Sequence, residues 1–118
     1  MKLIAQINAD KSRRVYEVVD EMPEFPGGTR ALENYLHNQV NYPSRALQNK
    51  IQGRVICEFI ITNEGAVTNV KVAEPVNPLL DEEAKRVIAA MPKWIPGRNH
   101  GERVNSKYSI PVVFTLPN

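Results

Sequence analysis

The sequence predicts an α+β fold, an antiparallel sheet of three to four strands with helices packed on one face. Three observations lead there. Residues 54–62 alternate apolar and mixed positions with a period of two, turn at a glycine and return. Residues 29–40 and 80–91 set apolar side chains three and four apart, the spacing of helices with one buried stripe. Residues 104–116 alternate again. A chain of 118 residues supports one modest core, and a sheet covered on one side is the simplest way to bury these stripes together.

Residues 1–14 carry no sustained period and end in Arg13-Arg14. They read as a leader or linker, with Leu3, Ile4 and Ile7 as candidates for an outer strand, and residues 15–118 read as the domain. Met1–Ile7 begins like a secretory segment, but Asn8 and Asp10 interrupt it. The chain thus reads either as cytosolic or as a soluble piece of a longer protein. Val15-Tyr16-Glu17-Val18-Val19 is rich in β-branched residues and predicts a short strand. Glu24-Phe25-Pro26-Gly27-Gly28 forces a turn. Thr29 is the expected cap of a helix to about Val40, with Leu32, Tyr35, Leu36 and Val40 as its stripe. Tyr42-Pro43 interrupts it, and Pro43 starts a second, short helix docked by Ala46, Leu47 and Ile51.

Gly53 then releases the chain into a strand with Val55, Cys57, Phe59 and Ile61 on its apolar side. Arg54, Ile56, Glu58, Ile60 and Thr62 form a mixed side. Asn63-Glu64-Gly65-Ala66 makes a tight return into a partner strand at Val67–Val72, with Gly65 supplying positive φ. From Asn77-Pro78 a helix runs to about Ala90, burying Leu80, Ala84, Val87, Ile88 and Met91. Its acidic start, Asp81-Glu82-Glu83, suits the positive end of the helix dipole. Pro92 stops it and Trp94 has the bulk to anchor its end. Arg98–Arg103 reads as a polar turn. The last strand, from Val104, puts Tyr108, Ile110, Val112, Phe114 and Leu116 on one face, and Pro111 within it predicts an edge strand.

Little here performs chemistry, and no enzyme, cofactor or metal is expected. A single cysteine rules out an intrachain disulfide and a thiolate cluster. Cys57 shares the strongest apolar face and packs as a small hydrophobe. His37 and His100 are far apart and belong to no ligand pattern. Ser106 and Ser109 lack a local base. Asp20, Glu21 and Glu24 read as a solvated turn, and Gly27-Gly28 lacks the spacing of a phosphate loop. Lys85, Arg86, Lys93, Arg98, Arg103 and Lys107 are scattered, Tyr108 and Phe114 follow the core register, and the net charge is only +2. Nucleic acid is not an expected partner.

Several stretches in order carry a family resemblance: Tyr42-Pro43, Gln52-Gly53-Arg54-Val55, Asn63-Glu64-Gly65-Ala66-Val67, the helix from Asp81, and Trp94-Ile95-Pro96-Gly97 before the last strand. Together they resemble the carboxy-terminal domain of TonB, the energy transducer of Gram-negative envelopes, over about residues 29–118. Met22-Pro23-Glu24-Phe25-Pro26-Gly27-Gly28 looks like the amino-terminal extension of Bacteroidetes-type versions. The resemblance implies a non-enzymatic periplasmic domain that grips the amino-terminal segment of outer-membrane receptors. An inner-membrane proton-driven motor, acting through upstream regions, would power uptake of siderophores, cobalamin or other nutrients. Similar domains also end membrane metallopeptidase-like sensors, where they would serve protein association.

The residues themselves supply a binding mode. A peptide can add to an exposed sheet edge through backbone hydrogen bonds. The candidate edge is Val104–Leu116, with Asn105, Lys107 and Ser109 as contacts and Arg54 placed either for solvent or for a partner carboxylate. The same edge can instead pair with a second copy to give a homodimer. Tyr42, Pro43, Gly53, Gly65, Trp94, Pro96 and Gly97 are expected to turn and pin the backbone.

Overall fold

The computed structural model describes residues 14–117; the expected leader over residues 1–13, with the candidate strand residues Leu3, Ile4 and Ile7, lies outside the described residues. In chain order the elements are β1 (Val15–Tyr16), α1 (Gly28–Gln39), α2 (Ser44–Gln48), β2 (Gly53–Ile61), β3 (Val67–Glu74), α3 (Pro78–Ala89), β4 (Gly97–Asn99) and β5 (Glu102–Phe114). The strands order as β1-β5-β2-β3, with β4 paired to β5. The sheet is antiparallel except for β1, which runs parallel to β5 through Val15↔Asn105 and Tyr16↔Ser106.

The β2–β5 ladder is the spine. It runs from Gly53↔Phe114 to Ile61↔Ser106 without a register shift, so the alternations of the two strands coincide. Val55, Cys57, Phe59 and Ile61 thereby share a face with Ile110, Val112 and Phe114, and all are buried. Ala46 of α2 and Leu80, Ala84 and Ile88 of α3 complete the core against that face. Arg54, Ile56, Glu58 and Ile60 lie across from Val113, Pro111, Ser109 and Lys107 on the other face.

Helix boundaries follow local chemistry. Asn77 caps α3, its side chain accepting from the Leu79 amide at 2.9 Å, and Pro78 occupies the first turn, where a missing N–H costs nothing. Pro43 caps α2. The cap of α1 is Gly27 at φ 89, with no side-chain cap bond, so Thr29 lies inside the first turn and does not cap. The diglycine bends the chain more sharply than a threonine cap allows. Leu47 also departs from expectation: it is 38% exposed, and Ala46 alone of α2 is fully buried.

The largest departure is at Arg98–Arg103, a β-hairpin between β4 and β5 with Arg98↔Arg103 and Asn99↔Glu102 paired. His100 (φ 51) and Gly101 (φ 79) make its two-residue turn, both with the positive φ that matches strand twist. The polar side chains concealed the strand period.

Before α1 the chain runs as a strap antiparallel to the Ile95–Arg98 segment. Glu21 and Arg98 exchange backbone hydrogen bonds of 3.0 and 2.9 Å, and Glu24 and Ile95 exchange bonds of 2.9 and 2.8 Å. Gly97 is buried against this strap, where a Cβ would stand 3.2 Å from the Glu21 carbonyl oxygen. Phe25, at the strap's end, enters the core.

Candidate functional site

The Asn63–Ala66 turn and the Trp94 segment form one unit. The Trp94 amide donates to the Gly65 carbonyl at 2.8 Å. Gly65 has φ 88, and a Cβ there would come 2.1 Å from the Trp94 carbonyl oxygen. Trp94, 4% exposed, meets Phe25, Phe59 and Tyr108 with ring centroids 5.5, 5.8 and 5.2 Å away. Tyr42 stacks edge-on to Phe114 at 5.5 Å and its hydroxyl donates to the Ile51 carbonyl. Gly53 opens β2 beneath Val76, and Pro96 leads into β4.

The outer side of β5 has a different character. Its inner side is taken by β2 from Ser106 to Phe114, while β1 takes the outer side only at Asn105 and Ser106. From Lys107 to Phe114 no strand pairs with that outer side among the described residues. Pro111 sits inside the uninterrupted β2 ladder, across from Ile56. Having no N–H to donate, it fits there with its nitrogen turned away from β2. The expected edge strand is therefore open over Lys107–Phe114 and closed at its start, where β1 and β4 pair.

Beside the open stretch lies a groove of about 570 Å³ lined by Leu36, Val40, Tyr42, Val112, Val113 and Phe114, with Glu33 and His37 among its other residues. Because Val112 faces inward and Val113 outward, the groove follows the strand's edge, with α1 as its opposite wall. Leu36 and Val40 were expected as core stripe, yet no residue of α1 is fully buried. Nothing in the helical period separates a stripe that lines a groove from one sealed in a core.

The four predicted contact residues fall in different places. Lys107 and Ser109 lie on the open stretch, and Arg54 is exposed across from Val113. Lys107 Nζ is 3.9 Å from Glu58 and 4.0 Å from Glu17, and Glu58 also receives Lys71 at 3.1 Å. Asn105 is a structural tie: its Oδ1 accepts from the Asn63 amide at 2.8 Å and its Nδ2 donates to the Arg14 carbonyl at 3.2 Å.

Cys57 is buried, and burial pushes its thiol up to about 11, with the nearby Asp81 charge adding to the rise. Ser106 is buried with its Oγ unpartnered. His100 pairs with Asp20, its amide donating to Oδ2 at 2.8 Å. Among the described residues no group of three or more His, Cys, Asp or Glu side chains converges as metal ligands.

The sequence matches the family described as Gram-negative bacterial TonB protein C-terminal over residues 38–116. The chain belongs to that family. It is 37% identical to the TonB protein of Salmonella typhimurium over 93 residues, 77% of this chain and 34% of that protein. Against the TonB protein of Escherichia coli it is 39% identical over 69 residues, 57% of this chain and 26% of that one. The chain thus spans about a third or less of the length of these relatives. Its fold resembles the solution structure of the Helicobacter pylori TonB-CTD (residues 179-285), with TM-score 0.58 and 22% identity over 79% of this chain and 88% of that one. A shorter form of the same domain (residues 194-285) gives TM-score 0.50 and 23% identity over 75% and 94%.

Proposed function

We propose that residues 15–118 form a periplasmic, non-enzymatic coupling domain that binds the amino-terminal segment of TonB-dependent outer-membrane receptors by strand addition. Coupled through upstream regions to an inner-membrane proton-driven motor, it transmits energy for uptake of siderophores, cobalamin or similar nutrients. The observation that carries this reading is the unpaired outer side of β5 from Lys107 to Phe114, set against the groove under α1. Backbone groups there offer a ladder at Lys107 and Ser109 that Pro111, with no N–H to donate on the open side, interrupts, and the groove offers alternate side chains an apolar wall. Lys107 and Ser109 are the proposed contacts, Arg54 orients a carboxylate at the flank, and Asn105 marks the start of the track. The family membership supports the partner and the compartment. Met22–Gly28 is proposed as the Bacteroidetes-type extension, since its Phe25 joins the core although it precedes the matched residues 38–116.

The test is an NMR titration of the domain with several receptor amino-terminal peptides, repeated across a salt series. Saturable shifts are expected at residues 107–115 and at Leu36 and Val40, persisting at high salt because backbone pairing is not screened as exposed charges are. A folded protein with no saturable response along that edge would falsify the proposed mode.

A further inference from the structure

The outer side of β5 is not vacant along its whole length. Asn105 and Ser106, just before the open stretch, are held by the chain's own β1, and in the parallel direction. The chain stays beside β5 after Tyr16, since Glu17 lies 4.0 Å from Lys107. A peptide running parallel to β5 from Lys107 onward therefore meets the path by which residues 17–19 leave the edge. To use that edge from its start, the peptide has to move β1.

Among the described residues the attachments of β1 are few, with Val15 exposed and Tyr16 half-buried. Val15 and Tyr16 make two register pairs with β5 among these residues. The Arg14 guanidinium stands 5.8 Å from the Tyr16 ring, and Asn105 donates to the Arg14 carbonyl at 3.2 Å. Glu17 is largely exposed opposite Lys107, and exposed pairs of this kind contribute little. Neither Val15 nor Tyr16 belongs to the core. The strap that follows is held differently: the Asp20 amide donates to the Asn99 side-chain Oδ1, and Glu21 and Glu24 exchange backbone bonds with Arg98 and Ile95. Between the two lies Val18, 84% exposed. A weakly held strand on a short exposed connection, tied to a firmly held strap, is free to leave its place while the core stays intact.

We propose that β1 is an internal competitor for the β5 edge, a self-strand that occupies the start of the peptide track and must be displaced for a full-length strand to add. The consequence rests on the strand-addition reading; β1's occupancy does not. Because the competitor is tethered, it acts at high effective concentration despite few contacts. Apparent affinity for an added peptide is reduced by the fraction of molecules in which β1 is in place.

The experiment compares the unaltered chain with the double variant Val15→Pro/Tyr16→Pro, which cannot donate to β5, and with Val15→Gly/Tyr16→Gly, which keeps the donors but weakens the strand. Amide spectra unchanged away from residues 14–19 and 103–108 establish that both variants are folded. Two probes are used: a synthetic peptide of residues 12–19 of this chain, and a receptor amino-terminal peptide. The self-peptide is expected to shift Asn105–Lys107 saturably in the variants and not in the unaltered chain. The receptor peptide is expected to bind the variants about three- to tenfold more tightly. Equal or weaker receptor-peptide binding in both variants overturns the competition, as does a self-peptide that binds neither variant. If the receptor peptide binds no form of the protein, the strand-addition reading falls, and the self-peptide alone decides whether β1 holds the edge.

Discussion

At the scale of single residues, Gly65 has the least freedom to change. It meets two demands at once, a positive φ for the turn and room for the Trp94 carbonyl. Gly65→Ala violates both, and strain in the left-handed region alone costs about 1–3 kcal/mol. Urea unfolding is expected to show a loss of about 2 kcal/mol or more, with the Trp94 emission shifted red in the residual native state. Cys57 makes the opposite kind of statement. Its raised thiol pKa leaves almost no thiolate at neutral pH, and the side chain is enclosed. Alkylation at pH 8 is expected to be negligible in the native protein and rapid once it is unfolded. Labelling followed by mass spectrometry reads both.

At the scale of elements, α3 joins the sheet to the end of α1. Glu83 receives two hydrogen bonds of 2.8 Å from Arg86 and one of 2.7 Å from the Asn41 amide, and Arg86 also donates to the Gln39 carbonyl at 3.1 Å. The Arg86 hydrogen bonds hold the Glu83 carboxyl below its ordinary value, against a smaller opposing effect of burial. A lowered folded-state value means that the stabilisation is complete above the unfolded carboxylate pKa and is lost as pH falls through the folded one. Glu83→Gln is expected to melt lower than the unaltered protein at pH 7, with the gap closing in acid. A thermal melt series over pH checks this. The two outer strand sides differ in regularity. The β2–β3 ladder shifts register between Ile56/Cys57 and between Glu58/Ile60 of β2, each time with an extra residue on β3, and Asn69 takes φ 51, so the β3 edge is interrupted. β5 pairs with β2 without a shift, so its outer side is regular up to Pro111, where a donor is missing.

At the scale of the whole molecule, the core reaches beyond the residues that match the family. Phe25, on the strap, packs against Tyr35 and Trp94, both at 5.5 Å between ring centroids. Removing a buried phenylalanine costs roughly 3–5 kcal/mol. Phe25→Ala is therefore expected to destabilise the entire domain, seen as a lower urea midpoint with an unchanged slope. An appended strap would give no such loss. The strap follows the end of β1, so the segment that completes the core is tied directly to the strand at the β5 edge.

Much of this was legible in the residues. The alternation of Val55–Ile61 and Ile110–Phe114, the stripe from Leu80 to Met91, Asn77-Pro78 at a helix start and Gly65 in a turn are local patterns, and local sterics and burial decide them. The hairpin at Arg98–Arg103 escaped because its side chains are polar on both faces, which erases the period. Pro111 marked an edge, but no local pattern tells how far an edge stays open. That is settled by which distant segment arrives beside it, here Val15–Tyr16 against Asn105–Ser106, about ninety residues apart in the chain. The groove under α1 has the same origin. Leu36 and Val40 repeat as a buried stripe does, and only the placement of α1 against the side of β5 leaves them half-covered. Periodicity reports which face of an element is apolar, whereas the meeting of elements far apart in sequence decides whether that face is sealed or left to receive a partner.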